Sequence, residues 1–499
     1  MPRRHRTTTP STPAPIPAPI PVRVRMYRQG LGDCFLVTFD PGGKEAHLLI
    51  DCGTLGATTT GVKMDAVVDD ILKTTGNHLH LLVATHEHQD HVSGFRGARD
   101  KFKQLRVDNV WLAWTEDPDD PLAAKIAKYK GDLGAAAAAG ACALAREDRD
   151  AASRELGAAA KDILEFAGGV SALGVFAETV NEAMEFLRAG TGARTEYLSP
   201  GGKAIEPAFI PGFRFYVLGP PRSETALRDT GEQGSSDLYG MTSGLRAAAL
   251  AVAGAPADPA VQEQSMPFDA RFRLGPKDPL IARSLRGYLA EDESWRRIDS
   301  DWLHASAELA LQLDELTNNT SLVLAIERIS DGKILLFPGD AQEGNWLSWH
   351  DPGLKWTVQA GQTAREVTAA DLLPCVVFYK VGHHGSHNAT GKAKGLELMG
   401  RENEMVAFVP VDRAVALTRH PPNCWQMPAR PLYRRLLERC QGRVLRSDLG
   451  WADDSKSAKD PAVEKDLDGL ADKPTWTSWK QAQAKAPVSE NPLFFELTI

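Results

Sequence analysis

Three histidines and an aspartate fall within six residues, His86-Glu87-His88-Gln89-Asp90-His91. Imidazole and carboxylate at this density make a metal site. The mixture suits zinc, manganese or iron, whereas calcium and magnesium prefer all-oxygen sites. A divalent ion held there lowers the pKa of water toward neutrality and so serves hydrolysis. A histidine-rich surface loop is the bland alternative, and the regular spacing argues against it.

Three more positions share one signature, an apolar run that ends on a residue able to bind metal. Asp51 closes 47–51, Asp340 follows 333–337, and His383-His384 follow 376–381. Asp340 has two oxygens to share between two cations, and the histidine pair can supply one ligand and one proton donor. Glycines 339, 382 and 385 let the backbone come close to an ion without Cβ crowding.

These residues need elements to hold them. Residues 79–84 read as a short buried strand that delivers the histidine cluster at its end. Upstream, 22–26 alternates as a half-buried strand does, 34–39 and 47–51 are strands, and 64–74 has helical spacing through Val67, Val68, Ile71 and Leu72. Strands, a helix, then a strand with a site at its end predict a layered α/β core. Further strands are expected at 107–114, 213–218, 321–326, 333–337, 376–381, 405–411 and 494–499, with an arginine-rich helix near 431–440. Residues 123–189 are alanine-rich and helical, and 222–313 is loop-rich with short helices. The expected organisation is a Thr/Pro/Ala leader over 1–21, disordered, and one catalytic domain over 22–499. Insertions interrupt that domain at about 116–191 and 223–314.

The chain has 499 residues, 43% of them hydrophobic, enough for a substantial core. A net charge of −8 argues against a general nucleic-acid coat but leaves room for a local basic patch. Six cysteines (34, 52, 142, 375, 424, 440) show no CxxC spacing, so a reducing cytoplasm is the expected location. No stretch has the length of a membrane span, and the N-terminus lacks the apolar segment of a secretion signal.

The motif His86, His88, Asp90, His91 resembles the HxHxDH hallmark of the metallo-β-lactamase fold superfamily. That resemblance implies an αββα sandwich with a two-metal centre in a cleft at one edge. A narrower likeness runs to the nuclease-like domain of the DNA-uptake protein ComEC. It is carried by Gln29-Gly30-Leu31-Gly32-Asp33, Leu49-Ile50-Asp51-Cys52-Gly53, Asn318-Asn319-Thr320-Ser321-Leu322-Val323-Leu324, Leu336-Phe337-Pro338-Gly339-Asp340, Lys380-Val381-Gly382-His383-His384-Gly385-Ser386, His420-Pro421 and Arg446-Ser447-Asp448. It covers 22–115, 192–222, 315–350 and 372–450, about half of the chain. One departure stands out. Many lactamase-type enzymes and glyoxalases supply a further histidine between the hallmark and the GD aspartate, and here the only histidine in that interval, His304, lies in a helical stretch. Asn318 or Asn319 would stand in that vicinity instead.

The implied ligands are His86, His88, Asp90, His91, Asp340, His383 and His420, around two divalent ions. Zinc is the first expectation and manganese the alternative. Asp90 and His91 would serve one ion, His86 and His88 the other. Asp51, Asn318 and Asn319 would brace the ligands from behind. In catalysis Asp90 would orient water, and His383 or His384 would hydrogen-bond the developing oxyanion. For the substrate, eight arginines (413, 419, 430, 434, 435, 439, 443, 446) lie close together with one acid, Glu438, among them. Arg419, Lys380 and Ser386 are the expected substrate contacts, and Trp346, Trp349 and Trp425 could stack bases. A solvated helix face is the alternative for the arginines, and buried core for the tryptophans. Three functions remain open: a metal-dependent phosphodiesterase or nuclease, a hydrolase of a small ester, and a metal-binding regulatory protein.

Overall fold

A computed structural model describes residues 19–56, 58–145, 151–166, 176–229, 301–360, 363–419, 425–454 and 469–499. Residues 1–18 of the leader expected over 1–21, most of the second insertion, and His420 lie outside the described residues.

Three antiparallel strands open the chain, β1 (Val22–Tyr27), β2 (Cys34–Phe39) and β3 (Ala46–Cys52). Helix α1 (Met64–Thr75) crosses over to β4 (His78–Val83), parallel to β3, and α2 (Gln89–Gly97) crosses to β5 (Arg106–Ala113). Helices α3 (Pro121–Leu144), α4 (Ala151–Phe166) and α5 (Phe176–Glu185) precede β6 (Arg194–Leu198). The second sheet follows with β7 (Phe213–Gly219), then α6 (Asp301–Asn319), β8 (Val323–Arg328), β9 (Lys333–Phe337) and α7 (Glu343–Ser348). It continues with β10 (Val376–Lys380), β11 (Val406–Val409), α8 (Arg430–Arg439), β12 (Val444–Arg446) and β13 (Gly450–Trp451). Helix α9 (Lys473–Lys485) leads to β14 (Val488–Asn491) and β15 (Phe494–Thr498), which return to the first sheet beside β1. The orders are β14-β15-β1-β2-β3-β4-β5-β6 and β13-β12-β11-β10-β9-β8-β7.

Period-two alternation sorts each strand between two cores. On β2, Phe35, Val37 and Phe39 face the other sheet, meeting Leu335 and Phe337 of β9 and Phe408 of β11. Leu36 points the opposite way, to a layer holding Val67, Val68 and Ile71 of α1 and Val92 and Phe95 of α2. Behind the second sheet, Ile334 and Leu336 pack with Trp346 of α7, Tyr433 and Leu436 of α8, and Trp476 and Trp479 of α9. Helices therefore cover both outer faces of a two-sheet sandwich. A separate bundle is built from α3, α4 and the middle of α6. Its contacts include Leu133, Ala137, Ala141, Ala160, Ile163, Leu309 and Leu313. No helix among the described residues is long and apolar enough to cross a membrane.

Candidate metal centre

The HxHxDH run leaves the C-terminal end of β4 and enters α2, which puts Asp90 and His91 in that helix's first turn. Side chains of other strand ends converge on it. Asp51, near the end of β3, accepts hydrogen bonds from Thr85 N and Thr85 Oγ1, both at 2.7 Å, and lies 2.8 Å from His91 Nδ1. His91 Nε2 is 3.1 Å from Asp340 Oδ2 and 3.7 Å from Asp90 Oδ2. His384 Nε2 is 2.5 Å from Asp90 Oδ2, and its Nδ1 is 2.6 Å from the Pro410 carbonyl. One ligating atom each of Asp90, His91, Asp340 and His384 thus falls within 4.8 Å of the others. His86 and His88 sit beside this group, with His86 Nε2 and His88 Nδ1 3.0 Å apart.

Close backbone approach makes the assembly achievable. A Cβ on Gly53 would stand 2.2 Å from the Asp90 carbonyl carbon, so only glycine lets the β3 loop pass behind α2. Asp51, His383 and His384 take positive φ values of 55°, 43° and 52°, conformations that non-glycine residues adopt at a cost and that cluster at functional sites.

The ring protons follow from the partners. A carbonyl only accepts, so His384 Nδ1 carries a proton and Nε2 is turned to the cluster. Asp51 fixes the Nδ1 proton of His91 in the same way and leaves Nε2 inward. Burial alone would lower the His91 pKa, but Asp340, Asp90, Asp33 and Asp51 outweigh it and hold it well above the ordinary value. Burial keeps His86 well below its usual value and takes His88 down to about 3, so both rings remain neutral. Asp33, Asp51, Asp90 and Asp340 are each 1% exposed or less, and Lys380 is the one lysine or arginine paired with them among the described residues. Four buried carboxylates with Lys380 as their one paired lysine or arginine among the described residues, and the His91 and His384 rings turned toward them, form a donor set that fits a divalent metal.

Not every expected residue lies where the sequence reading put it. Of the adjacent histidines, His384 joins the ligand cluster. His383 instead donates its backbone N–H to Asp340 Oδ1 at 2.9 Å, and its Nδ1 meets no partner among the described residues. Lys380, expected at the substrate rim, is 2% exposed and pairs with Asp33 and with Asp340 Oδ1 at 3.2 Å. Asn319 ties the end of α6 to the carbonyls of Leu227 and Asp229 and accepts from Gln342 N. Asn318 Nδ2 reaches Asp314 Oδ2 at 3.3 Å. Ser386 is buried just after the histidine turn, and Arg419 touches the Leu55 carbonyl at 3.3 Å. Trp346 and Trp349 are 0% and 1% exposed, core residues that cannot stack a base. Among the described residues, Arg434 and Arg435 pair with Glu438, Arg435 also with Glu397, Arg439 with Glu402 and Arg446 with Asp448. Three of those acids lie outside the arginine-rich window, which is why the local count shows a surplus. Asp33 and Asp314 are the site neighbours that the candidate residues omit.

Burial holds the His383 pKa down to about 4. An unfolded histidine takes its proton near pH 6.5, so between that pH and about 4 the unfolded chain binds the extra proton. Stability of the metal-free protein therefore falls as pH drops through this window, His383 contributing up to about 1.4 kcal/mol per unit. Urea unfolding of EDTA-treated protein at pH 7.5 and 5 checks this. Wild type is expected to lose more than His383→Gln, and equal losses would refute it.

Residues 27–130 match the family model of the metallo-beta-lactamase superfamily. That segment holds Asp51 and the whole HxHxDH run, and the fold around it, two sheets with helices on both outer faces, is the metallo-beta-lactamase fold. Among curated proteins none matches the chain. The superfamily domain and the Asp/His cluster together point to a metal-dependent hydrolase.

Proposed function

We propose that the protein is a metal-dependent phosphodiesterase, with nucleic acid as the first substrate class to test and zinc or manganese as the metal. The observation that carries this reading is the convergence of Asp90, His91, Asp340 and His384, with the His91 and His384 tautomers set by Asp51 and Pro410. Divalent ions held there and by His86 and His88 would supply a nucleophile at neutral pH and positive charge for the phosphoryl oxygens. The chain's own groups do the rest. Asp90 orients the attacking water through the carboxylate oxygen not engaged by His384, since Oδ1 is buried and meets no donor among the described residues. His383, its ring otherwise unengaged at Nδ1, hydrogen-bonds the oxygen on which charge develops. Arg419 is the arginine assigned to a phosphate, because among the described residues it meets the Leu55 carbonyl and no carboxylate, and its Nε meets no partner. The likeness of the Asp33, Asp51, Asp340 and His383-His384 segments to the ComEC nuclease-like domain supports the same substrate class.

A second reading, hydrolysis of a small phosphoester, is favoured by the arginine pairs. A basic strip in which Glu397, Glu402, Glu438 and Asp448 already pair with Arg434, Arg435, Arg439 and Arg446 offers less to a long polyanion. Purified protein loaded with Zn²⁺ or Mn²⁺ is tested against labelled single- and double-stranded DNA and RNA and against bis-p-nitrophenyl phosphate. The expected result is cleavage that EDTA stops. Turnover of the small diester alone selects the second reading, and no turnover of any of them sinks both.

A further inference from the structure

His88 and His91 are held differently, and the difference singles out a residue on α6. The His91 ring stands between a carboxylate behind it, Asp51 at 2.8 Å from Nδ1, and the cluster ahead of it at Nε2. His88 turns Nδ1 inward, 3.0 Å from His86 Nε2. Its outer nitrogen, Nε2, lies 3.6 Å from Asp314 Oδ1. Asp314 is 9% exposed, its Oδ1 meets no hydrogen-bond donor among the described residues, and its Oδ2 accepts from Asn318 one turn along the helix. A buried carboxylate oxygen without a donor thus stands behind His88 on the side where Asp51 stands behind His91, at 3.6 Å instead of 2.8 Å.

We propose that Asp314 is a positioning residue for His88. It receives the Nε2 proton, fixes the tautomer that leaves Nδ1 as a lone pair, and so completes the His86/His88 side of the centre. The carboxylate comes from the bundle inserted into the sandwich. Lys130 of α3, in the same bundle, pairs with Glu87, the residue before His88. Leu133 and Ala137 of α3 pack with Leu309 and Leu313 of α6. Asn319 anchors the end of α6 to the loop at Leu227 and Asp229 and to Gln342. The bundle therefore grips two successive residues of the ligand loop, and its packing sets how His88 presents its nitrogen.

The inference rests on the metal-centre reading above, and the test separates the two. Metal-stripped full-length protein is titrated with Co²⁺, with bound metal counted and its visible absorption followed. The ion that wild type binds and His88→Ala loses is the one held on this side. Asp314→Ala and the isosteric Asp314→Asn are expected to weaken that same ion about 10- to 100-fold, the usual effect of losing a partner behind a ligand. Ions held elsewhere, and the melting temperature of the Asn variant, stay within error. Because Asp314 acts through His88, His88→Ala/Asp314→Ala binds no more weakly than His88→Ala alone. Unchanged affinity in both Asp314 variants, or a further loss in the double variant, overturns the proposal. A wild-type chain that binds no Co²⁺ overturns the metal-centre reading itself.

Discussion

Asp340→Asn is expected to lower phosphodiester turnover on the order of 10³-fold, at the upper end of what one charge-stabilising group in an active site contributes, and to strip metal from the protein. The substitution changes little else. The amide oxygen can still accept from His383 N, now at 2.9 Å from Oδ1, and the backbone N–H of residue 340 still donates to Ser321 Oγ at 3.0 Å. What disappears is the charge facing His91 Nε2 at 3.1 Å and Lys380 Nζ at 3.2 Å. Without it, His91 loses the first of the carboxylates that raise its pKa, and the donor set loses an anionic oxygen. Elemental analysis of the purified variant and steady-state rates on bis-p-nitrophenyl phosphate are the measurements. A variant with full metal content and a rate within about tenfold of wild type would remove Asp340 from the centre, since even loss of a partner behind a ligand costs that much.

The sequence made this half of the candidate site legible because its residues announce themselves locally. His86 to His91 are contiguous, Asp51 lies at the end of β3 and Asp340 just after β9, so period-two patterning and a polar stop are enough to single them out. The sandwich was readable for the same reason: β9 (Lys333–Phe337) falls on the expected 333–337, and α8 (Arg430–Arg439) lies within a residue of the arginine-rich helix. What stayed hidden depends on distance in the chain. Adjacent His383 and His384 look equivalent in sequence, and only the left-handed turn at φ 43° and 52° decides that the second ring reaches Asp90. Asp314 sits in the middle of a helix among ordinary helix formers, with no local signal of what it faces. The tryptophans Trp476 and Trp479 of α9, beyond every motif, turn out to cover the second sheet. The arginine window showed a surplus of charge because Glu397, Glu402 and Asp448 lie outside it.

Lys380 is where that blindness has the largest energetic consequence, and Lys380→Met is expected to destabilise the metal-free protein by about 3–5 kcal/mol, the cost of leaving a buried charge without its partner. A lysine that ends an apolar strand reads as a side chain emerging toward solvent. Here it runs inward. At 2% exposure its ammonium pairs with Asp33, lies 3.2 Å from Asp340 Oδ1 and donates to the Gly339 carbonyl at 2.9 Å, which occupies all three of its protons. Burial raises the Asp33 pKa to about 6 even with Lys380 beside it, so that carboxylate depends on the pair. Methionine matches the stem and removes the charge, leaving Asp33 and Asp340 facing each other across a dry gap. Asp33→Asn combined with Lys380→Met should recover part of the loss, because the unpaired anion goes with its partner. Saturating Zn²⁺ should recover part as well, by binding the folded chain and neutralising Asp340. Urea unfolding of the single and double variants, with and without metal, reads each of these. A Lys380→Met protein of unchanged stability whose KM alone rises would return the side chain to the substrate rim.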